Sequence, residues 1–329
     1  MRIGLIGLGR IGRNLVRQVE QHPSLEIVVI ADYASADGLA YLLKYDSIYG
    51  RFEAEVSHTE DSISIDGRRI PLVDGHDPAS VDWKSHNLDV VIQAVGTPYP
   101  RSWSEALLAA GVPKVIVAST PKTPGGVPIY VPGVSDPAVL TESIVAMGSN
   151  TAQAAIPVLA SLAAAYGLEN AFLTTVHAFT SNQRLADSPS DGLRSSRAAG
   201  DNIIPSPSNS AEIIAQVLPD LKGRMMATAL NVPVPDGSTI DMVVQLGVTV
   251  TAEEVNATLE AASERLGAGL DVTHDPIVST DVIGASSSGI VDALLTTVTG
   301  GNMVKLIIWF DNGWGYTARI VEALEGVPA

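Results

Sequence analysis

The chain of 329 residues contains no cysteine, which excludes disulfides, thiolate metal sites and thiol nucleophiles from its chemistry. Charge and aromatics are also sparse, at 17% and 5%, against 46% hydrophobic residues. A chain of this length and composition can bury two cores of ordinary size. Positive charge is scarcer than negative. Twenty Lys and Arg stand against 36 Asp and Glu, a formal charge of −16 with no basic run, so nucleic acid and anionic membrane surfaces are not expected partners. The longest apolar run, near Ala154 to Tyr166, is too short to cross a bilayer and contains Pro157 and Ser161. Residue 2 already enters an apolar strand without room for a signal peptide, and a cytoplasmic location is expected. No metal site is expected, and there are no repeats, low-complexity tracts or linkers.

The N-terminus is richer in signals. An apolar strand over residues 2–9 runs into Gly7-x-Gly9-x-x-Gly12, and the following helix carries Ile11, Leu15, Val16 and Val19 on one face. A second strand, Glu26 to Ala31, ends at Asp32, at the spacing of a dinucleotide-binding βαβ unit. The glycines would let backbone approach a pyrophosphate, and Asp32 would accept from the adenosine ribose. The acid repels a 2′-phosphate and Tyr33 leaves little room for one, which favours NAD over NADP. Residues 52–73 alternate as antiparallel strands around an Asp66-Gly67 hairpin turn. Parallel-strand character returns over Asp89 to Val95, where Gly96-Thr97 would face the ligand crevice. A capping box at Ser102-x-x-Glu105 predicts a helix stopped at Gly111, and Lys114 to Ala118 reads as another buried strand.

The joint between halves is Gly148 to Pro157, read as a small polar turn between the strand Ile144 to Met147 and an Ala-rich helix ending at Gly167. Such a turn faces backbone N–H groups and a positive helix end toward a ligand. Beyond it, Asn170 to Thr180 reads as a strand leading into a polar segment over residues 181–202, of a length that is usually functional or flexible. Strands recur at Met225 to Val232, Thr239 to Val250 and Val304 to Phe310, with a helix Ala252 to Leu266 capped by Thr251-x-x-Glu254. The expected fold is α/β: a doubly wound Rossmann domain over 1–150, completed by a C-terminal helix over 313–329, and an α+β domain with an antiparallel sheet over 151–312.

The motifs IGLGRIGR at 6–13, YDSIYGRF at 45–52, TTVHAFT at 174–180, NIIP at 202–205 and KLIIWFDNGWGY at 305–316 together resemble the glyceraldehyde-3-phosphate dehydrogenase family from end to end. The resemblance implies a homotetramer acting on a small-molecule substrate, with segment 181–202 lying across the subunit interface. It implies cofactor contacts at Gly7, Gly9, Arg10, Ile11, Gly12, Asp32, Gly96, Ser119, Asn312 and Tyr316, with Asn312 holding the nicotinamide amide. It places His177 at the catalytic histidine. On the substrate side it implies Ser149, Asn150, Thr151, Thr180, Asn182, Ser208, Asn209 and Asn231, with Arg184, Arg194 or Arg197 in the loop as a further anion partner.

The departures from the family pattern carry equal weight. Its nucleophile motif lines up with residues 149–156, so that Gln153 stands at the cysteine position and Ala154 and Ala155 replace threonines. An amide cannot form an acyl-enzyme. Asn231 stands where an arginine normally binds phosphate, Asn182 replaces a threonine, and Ser208-Asn209 replaces a Thr-Gly pair. Gln153 is then a group that binds substrate oxygen or a filler at a helix N-terminus; His177 is an acid/base or an inherited hydrogen-bonder. Thr151 or Ser149 as a substitute nucleophile would need a base in close reach. The expected activity is NAD-dependent hydride transfer to or from a carbonyl or alcohol carbon, without a covalent intermediate and on a substrate other than glyceraldehyde 3-phosphate. A non-catalytic NAD-binding sensor or assembly subunit, and an epimerase or lyase with tightly held NAD, remain the alternatives.

Overall fold

The computed structural model describes residues 1–96, 100–120, 126–190 and 192–327. The chain divides into two compact units, one of Met1–Tyr130, Ser135–Gly148 and Thr317 onward, the other of Val131–Val134 and Ser149–Tyr316.

The first unit contains β1 (Arg2–Ile6), α1 (Arg10–Val19), β2 (Glu26–Asp32), α2 (Ala36–Lys44), the short pair β3 (Tyr45–Asp46) and β4 (Gly50–Arg51), β5 (Val56–Thr59), β6 (Ser62–Ile65), β7 (Arg68–Asp74), β8 (Val90–Gln93), α3 (Arg101–Ala109), β9 (Val115–Val117) and β10 (Ile144–Ala146). Its eight-stranded sheet runs β10-β9-β8-β1-β2-β7-β6-β5. The order reverses beside β1, which pairs in parallel with both β2 and β8. That reversal places the C-terminal ends of β1, β2 and β8 around one crevice. Their residues, such as Ile3, Leu5, Ile30 and Ile92, are fully buried, as expected of parallel strands covered on both faces. The change to antiparallel pairing occurs at β7, which is parallel to β2 and antiparallel to β6. Asp66 and Gly67 make that hairpin with φ of 48° and 79°, the two positive angles a type I′ turn requires.

One cap differs from expectation. The helix α3 starts after Pro100 with no side-chain cap, and Ser102 lies inside it. Glu105 is drawn instead to Arg101, 2.8 Å away in an i,i+4 pair, which removes it from the capping box. The box at Thr251 and Glu254 forms as read.

The second unit contains α4 (Asn150–Tyr166), β11 (Leu168–Ala178), β12 (Ile204–Ser206), α5 (Ser210–Val217), β13 (Met225–Val232), β14 (Ser238–Leu246), α6 (Ala252–Leu266), β15 (Asp271–Thr273), β16 (Ile290–Asp292), β17 (Thr297–Thr299) and β18 (Met303–Phe310). A last helix, α7 (Trp314–Glu325), begins here and counts with the first unit from Thr317. The sheet runs β12-β13-β11-β14-β18-β16-β15, with β17 also on β18. It is mostly antiparallel, with parallel pairs at β11–β13 and β15–β16. Residues of β14 alternate between buried and half-buried, because one face packs on helices and the other does not. Among the described residues no helix is long and apolar enough to cross a membrane.

The stretch 148–157 is a helix start and not a turn. Ser149 is the N-cap of α4, its Oγ accepting from the Ala152 N–H at 3.1 Å, so Gln153 already lies within helical backbone. Pro157 sits inside the same helix and lacks the N–H that would bond the Gln153 carbonyl. An Ala-rich, largely apolar helix packed on a sheet tolerates that single loss.

Candidate functional site

In the first unit the glycine turn and the strand ends enclose a cavity of about 660 Å³, lined among others by Gly7, Gly9, Asp32, Tyr33, His76 and Gly96. Thr97, paired with Gly96 in the sequence reading, lies outside the described residues. Gly7 has φ of +89°, and a Cβ there would stand 2.8 Å from the Ala94 carbonyl oxygen. At Gly12 a Cβ would come within 2.1 Å of the Gly7 oxygen. Nothing lies within 4 Å of the corresponding position at Gly9, which leaves that backbone bare. The N-terminus of α1 begins at the next residue, so its N–H groups and positive dipole end suit an anion such as a pyrophosphate.

Asp32 is held from both sides. Its Oδ2 accepts from the Leu8 N–H at 2.7 Å and its Oδ1 from the Ala34 N–H at 3.0 Å, and each oxygen keeps a second lone pair for a ribose hydroxyl. Ser119, just past β9, has a buried Oγ with no hydrogen-bond partner among the described residues. A bare glycine turn, a pre-oriented acid and an orphaned hydroxyl fit a dinucleotide. Arg10 and Ile11 are half-buried and Gly12 is buried at the start of α1, none of them lining the cavity. Tyr316 is buried in α7, where desolvation pushes its phenol well above the usual range. His76 and Trp103, also cavity-lining, carry no motif; only the fold brings them beside Tyr33, whose ring lies 5.7 Å from that of His76.

The second unit gathers a different set. His177, near the end of β11, has its Nδ1 2.6 Å from the Ala178 carbonyl oxygen and 3.3 Å from Asn312 Nδ2. One nitrogen cannot donate to the carbonyl and accept from the amide together. The shorter contact selects the Nδ1–H tautomer, which puts the ring's lone pair on Nε2. Phe310 meets the ring edge-on at 6.1 Å. Asn312 is 6% exposed and tied at four points. Its N–H donates to Asp236 Oδ1 at 3.0 Å, its Oδ1 accepts from the Ser238 hydroxyl at 2.7 Å, its carbonyl accepts from Asn150 Nδ2 at 2.8 Å, and its Nδ2 faces His177. Ser238 Oγ in turn accepts from the Ala178 N–H at 2.9 Å, tying Asn312 to the end of the strand that carries the imidazole. The Asn312 side chain thus engages its own unit through Oδ1, and with the proton on His177 Nδ1 it keeps both N–H groups and one lone pair for a ligand.

Two buried carboxylates underlie this network. Asp236 is 0% and Asp311 2% exposed. Asp311 accepts from the N–H groups of Gly284, Gly313 and Trp314, yet burial first and the neighbouring Asp236 charge second push its carboxyl above the usual range. A folded-state value above the unfolded one means the native protein binds the proton more tightly. Its stabilising contribution is fully present below the unfolded value and is lost as pH rises through the raised one. Asp236→Asn removes one raising charge, so the fall in melting temperature between acid and neutral pH is expected to be smaller in that variant. Thermal unfolding over a pH series checks it, and identical profiles would refute the coupling.

The remaining sequence candidates fall in four places. Gln153 is 1% and Thr151 5% exposed on α4, and Ser149 is engaged as a cap. Asn231 is buried, in register with His177 across β11–β13, its Oδ1 accepting from Ser206 Oγ at 2.7 Å. In the loop, Thr180 donates its N–H and hydroxyl to Gln183 Oε1 at 2.8 and 2.9 Å, and the Asn182 N–H reaches Thr180 Oγ1 at 3.3 Å. Arg197 pairs with Asp187 on the surface, while Arg184 and Arg194 are exposed. Ser208 donates to Ser210 Oγ at 3.0 Å, and Asn209 precedes α5 without capping it through its side chain. Asp236, Ser238 and Gln183 escaped the sequence reading because a turn acid, a strand serine and a loop amide acquire meaning only from their partners. No group of three His, Asp or Glu placed to hold a metal occurs among the described residues.

Residues 1–99 match the family described as glyceraldehyde 3-phosphate dehydrogenase, NAD binding domain, and residues 149–312 match glyceraldehyde 3-phosphate dehydrogenase, C-terminal domain. Similar proteins include glyceraldehyde-3-phosphate dehydrogenase 2 of Streptomyces avermitilis, 40% identical over 328 residues, which is 98% of this chain and 97% of that protein. The glyceraldehyde-3-phosphate dehydrogenase of Geobacillus stearothermophilus is 38% identical over 327 residues, covering 98% and 96%. Glyceraldehyde-3-phosphate dehydrogenase 2 of Bacillus subtilis is 37% identical over 332 residues, covering 100% and 97%.

Proposed function

Because the chain belongs to the glyceraldehyde-3-phosphate dehydrogenase family and carries its NAD-binding domain, we propose that it transfers hydride directly between NAD and a carbonyl or alcohol carbon, with no enzyme-bound acyl intermediate. The carrying observation is the imidazole of His177, its proton held on Nδ1 by the Ala178 carbonyl, in a chain without any thiol. When bound, NAD supplies the hydride acceptor, or as NADH the donor. In the oxidation direction Nε2 of His177 takes the hydroxyl proton of the substrate as the C–H hydride departs; in reduction the protonated ring returns it to the forming alkoxide. Gln153 stands at the position of the family's cysteine and polarises the substrate oxygen. Asn312 keeps the imidazole in place and offers its remaining amide capacity to the nicotinamide carboxamide. The glycine turn over residues 7–12, with the backbone of Arg10 and Ile11 at the start of α1, takes the pyrophosphate, Asp32 the adenosine ribose, and Ser119 borders the cofactor.

The substrate we infer is small and not glyceraldehyde 3-phosphate. Asn231, committed to Ser206, offers an amide and no cation, and Thr180 is engaged by Gln183, so at these two positions a dianionic phosphate lacks the bidentate partner that such sites use. Purified protein with NAD or NADH is expected to change reduced-cofactor absorbance with small unphosphorylated aldehydes, ketones or hydroxy acids. Silence across such a panel, or a rate with glyceraldehyde 3-phosphate and phosphate like that of a thiol enzyme, would sink the reading. Tight NAD binding without turnover would favour a non-catalytic role instead.

We also place the protein in the cytoplasm as a homotetramer. The outer face of the second sheet exposes Phe172 and Met226, in register on adjacent strands, and Met303, an apolar surface suited to a second copy. Light scattering should give a mass of four chains; a monomer at micromolar concentration would refute the assignment.

A further inference from the structure

Asp236 belongs to no motif, yet it is fully buried. It lies in the turn joining β13 to β14, where Gly237 has φ of +78° and a Cβ would stand 1.9 Å from the Ser279 carbonyl oxygen. That crowding pins the turn. Asp236 Oδ1 accepts from the Gly237 N–H at 2.7 Å and from the Asn312 N–H at 3.0 Å. Asn312 is the residue whose amide nitrogen faces His177, and Ser238, two residues from the acid, anchors the other end of that amide. One turn therefore controls both the backbone and the side chain of Asn312.

We propose that Asp236 is a positioning residue for His177: it fixes the Asn312 amide against the imidazole, and its buried negative charge favours the protonated ring that forms when a substrate proton is taken up. Burial makes the charge effective. A carboxylate in a low-dielectric interior acts over a longer range than one in water and is little screened by salt. The strands paired with β11 and the helix α4 bring few charges. Neither α4 nor β13 contains a charged residue, β11 is charged only at Glu169 near its far end, and Asp241 of β14 is paired with Lys305 of β18 opposite Thr174. Among the described residues, Asp236, bonded to the Asn312 N–H, and the adjoining Asp311 are buried carboxylates beside Asn312. Burial first and the Asp236 charge second raise the Asp311 carboxyl, so setting these two acids side by side carries a cost that a purely structural turn has no need of.

The inference rests on His177 being the proton-transfer group, but its test reads the imidazole directly and needs no substrate, so it can fail or succeed apart from the proposed reaction. Protein labelled with ¹⁵N-histidine is titrated by long-range ¹H–¹⁵N correlation, with the His177→Asn spectrum identifying the resonance. In Asp236→Asn the new amide oxygen can still accept both N–H groups while the charge is gone. Its His177 transition is expected to move to lower pH by about half a unit or more, with the variant's melting profile confirming that it is folded. A folded Asp236→Asn protein with an unmoved transition overturns the proposal. Should that variant not fold, Asp311→Asn removes the other carboxylate and must shift His177 in the same direction; an unmoved transition there overturns it equally.

Discussion

Gly12→Ala is expected to abolish useful NAD binding, lowering affinity by roughly 100-fold or more, about 2.7 kcal/mol, and to lower stability by ~2–4 kcal/mol. The reason is geometric. A methyl at this position would stand 2.1 Å from the Gly7 carbonyl oxygen, a separation at which backbone must move. Gly7 cannot yield easily, because its N–H is bonded to the Ala31 oxygen at 2.9 Å and its own Cβ position is blocked by Ala94. The strain would therefore open the angle between β1 and α1, withdrawing the helix N-terminus from the place a pyrophosphate occupies. Gly9→Ala is the matched control, since its Cβ would meet nothing within 4 Å of the protein. It should keep stability near wild type and lose affinity only through crowding of the ligand. Calorimetry with NAD and thermal unfolding separate the two effects. Gly12→Ala binding NAD as wild type does would disprove the placement of the cofactor on this turn.

His177→Asn should lower kcat by about 10²–10⁴-fold, the usual worth of one positioned acid/base, with KM close to wild type. The amide can occupy the space and even bond to Ala178, but it cannot carry a proton back and forth. Gln153→Ala is the informative partner experiment. Its side chain is 1% exposed on α4, so truncation should cost stability by ~1–3 kcal/mol and raise KM, while kcat falls less than tenfold, about 1.4 kcal/mol. Steady-state kinetics on a substrate found by screening decides the matter. If Gln153→Ala removed turnover and His177→Asn did not, the roles assigned to the two residues would be reversed, and the acid/base would have to be sought elsewhere.

Much of the first unit was legible because its signals are local. A strand, three glycines, a helix and an acid at fixed spacing describe a βαβ turn whose backbone follows from the residues themselves, and Asp66-Gly67 adopts the angles such a pair prefers. Where reading failed, a longer-range partner had intervened. Glu105 serves Arg101 and not Ser102. The turn read over 148–157 became the first turns of α4 because Ser149 caps it, which moved Gln153 from a loop into packed helical backbone. The helices α2 and α5, of nine and eight residues and without a side-chain cap, lack the start signal that marked α6.

Sequence alone, then, settled that this is an α/β chain with a dinucleotide turn, an acid suited to NAD, a histidine in a family setting and no thiol, because each of these is a matter of residue identity and short spacing. Tertiary structure decided which polar groups are spent on one another. Only packing β11 beside β13 and β14, and ending β18 next to them, brings Asn312, Ser238 and Ala178 around His177 from positions up to 135 residues apart, and places the buried charge of Asp236 behind them. Donor and acceptor partners separated by such distances along the chain leave no periodic trace in it, since a hydrogen bond depends on where two atoms meet and not on the residues between them.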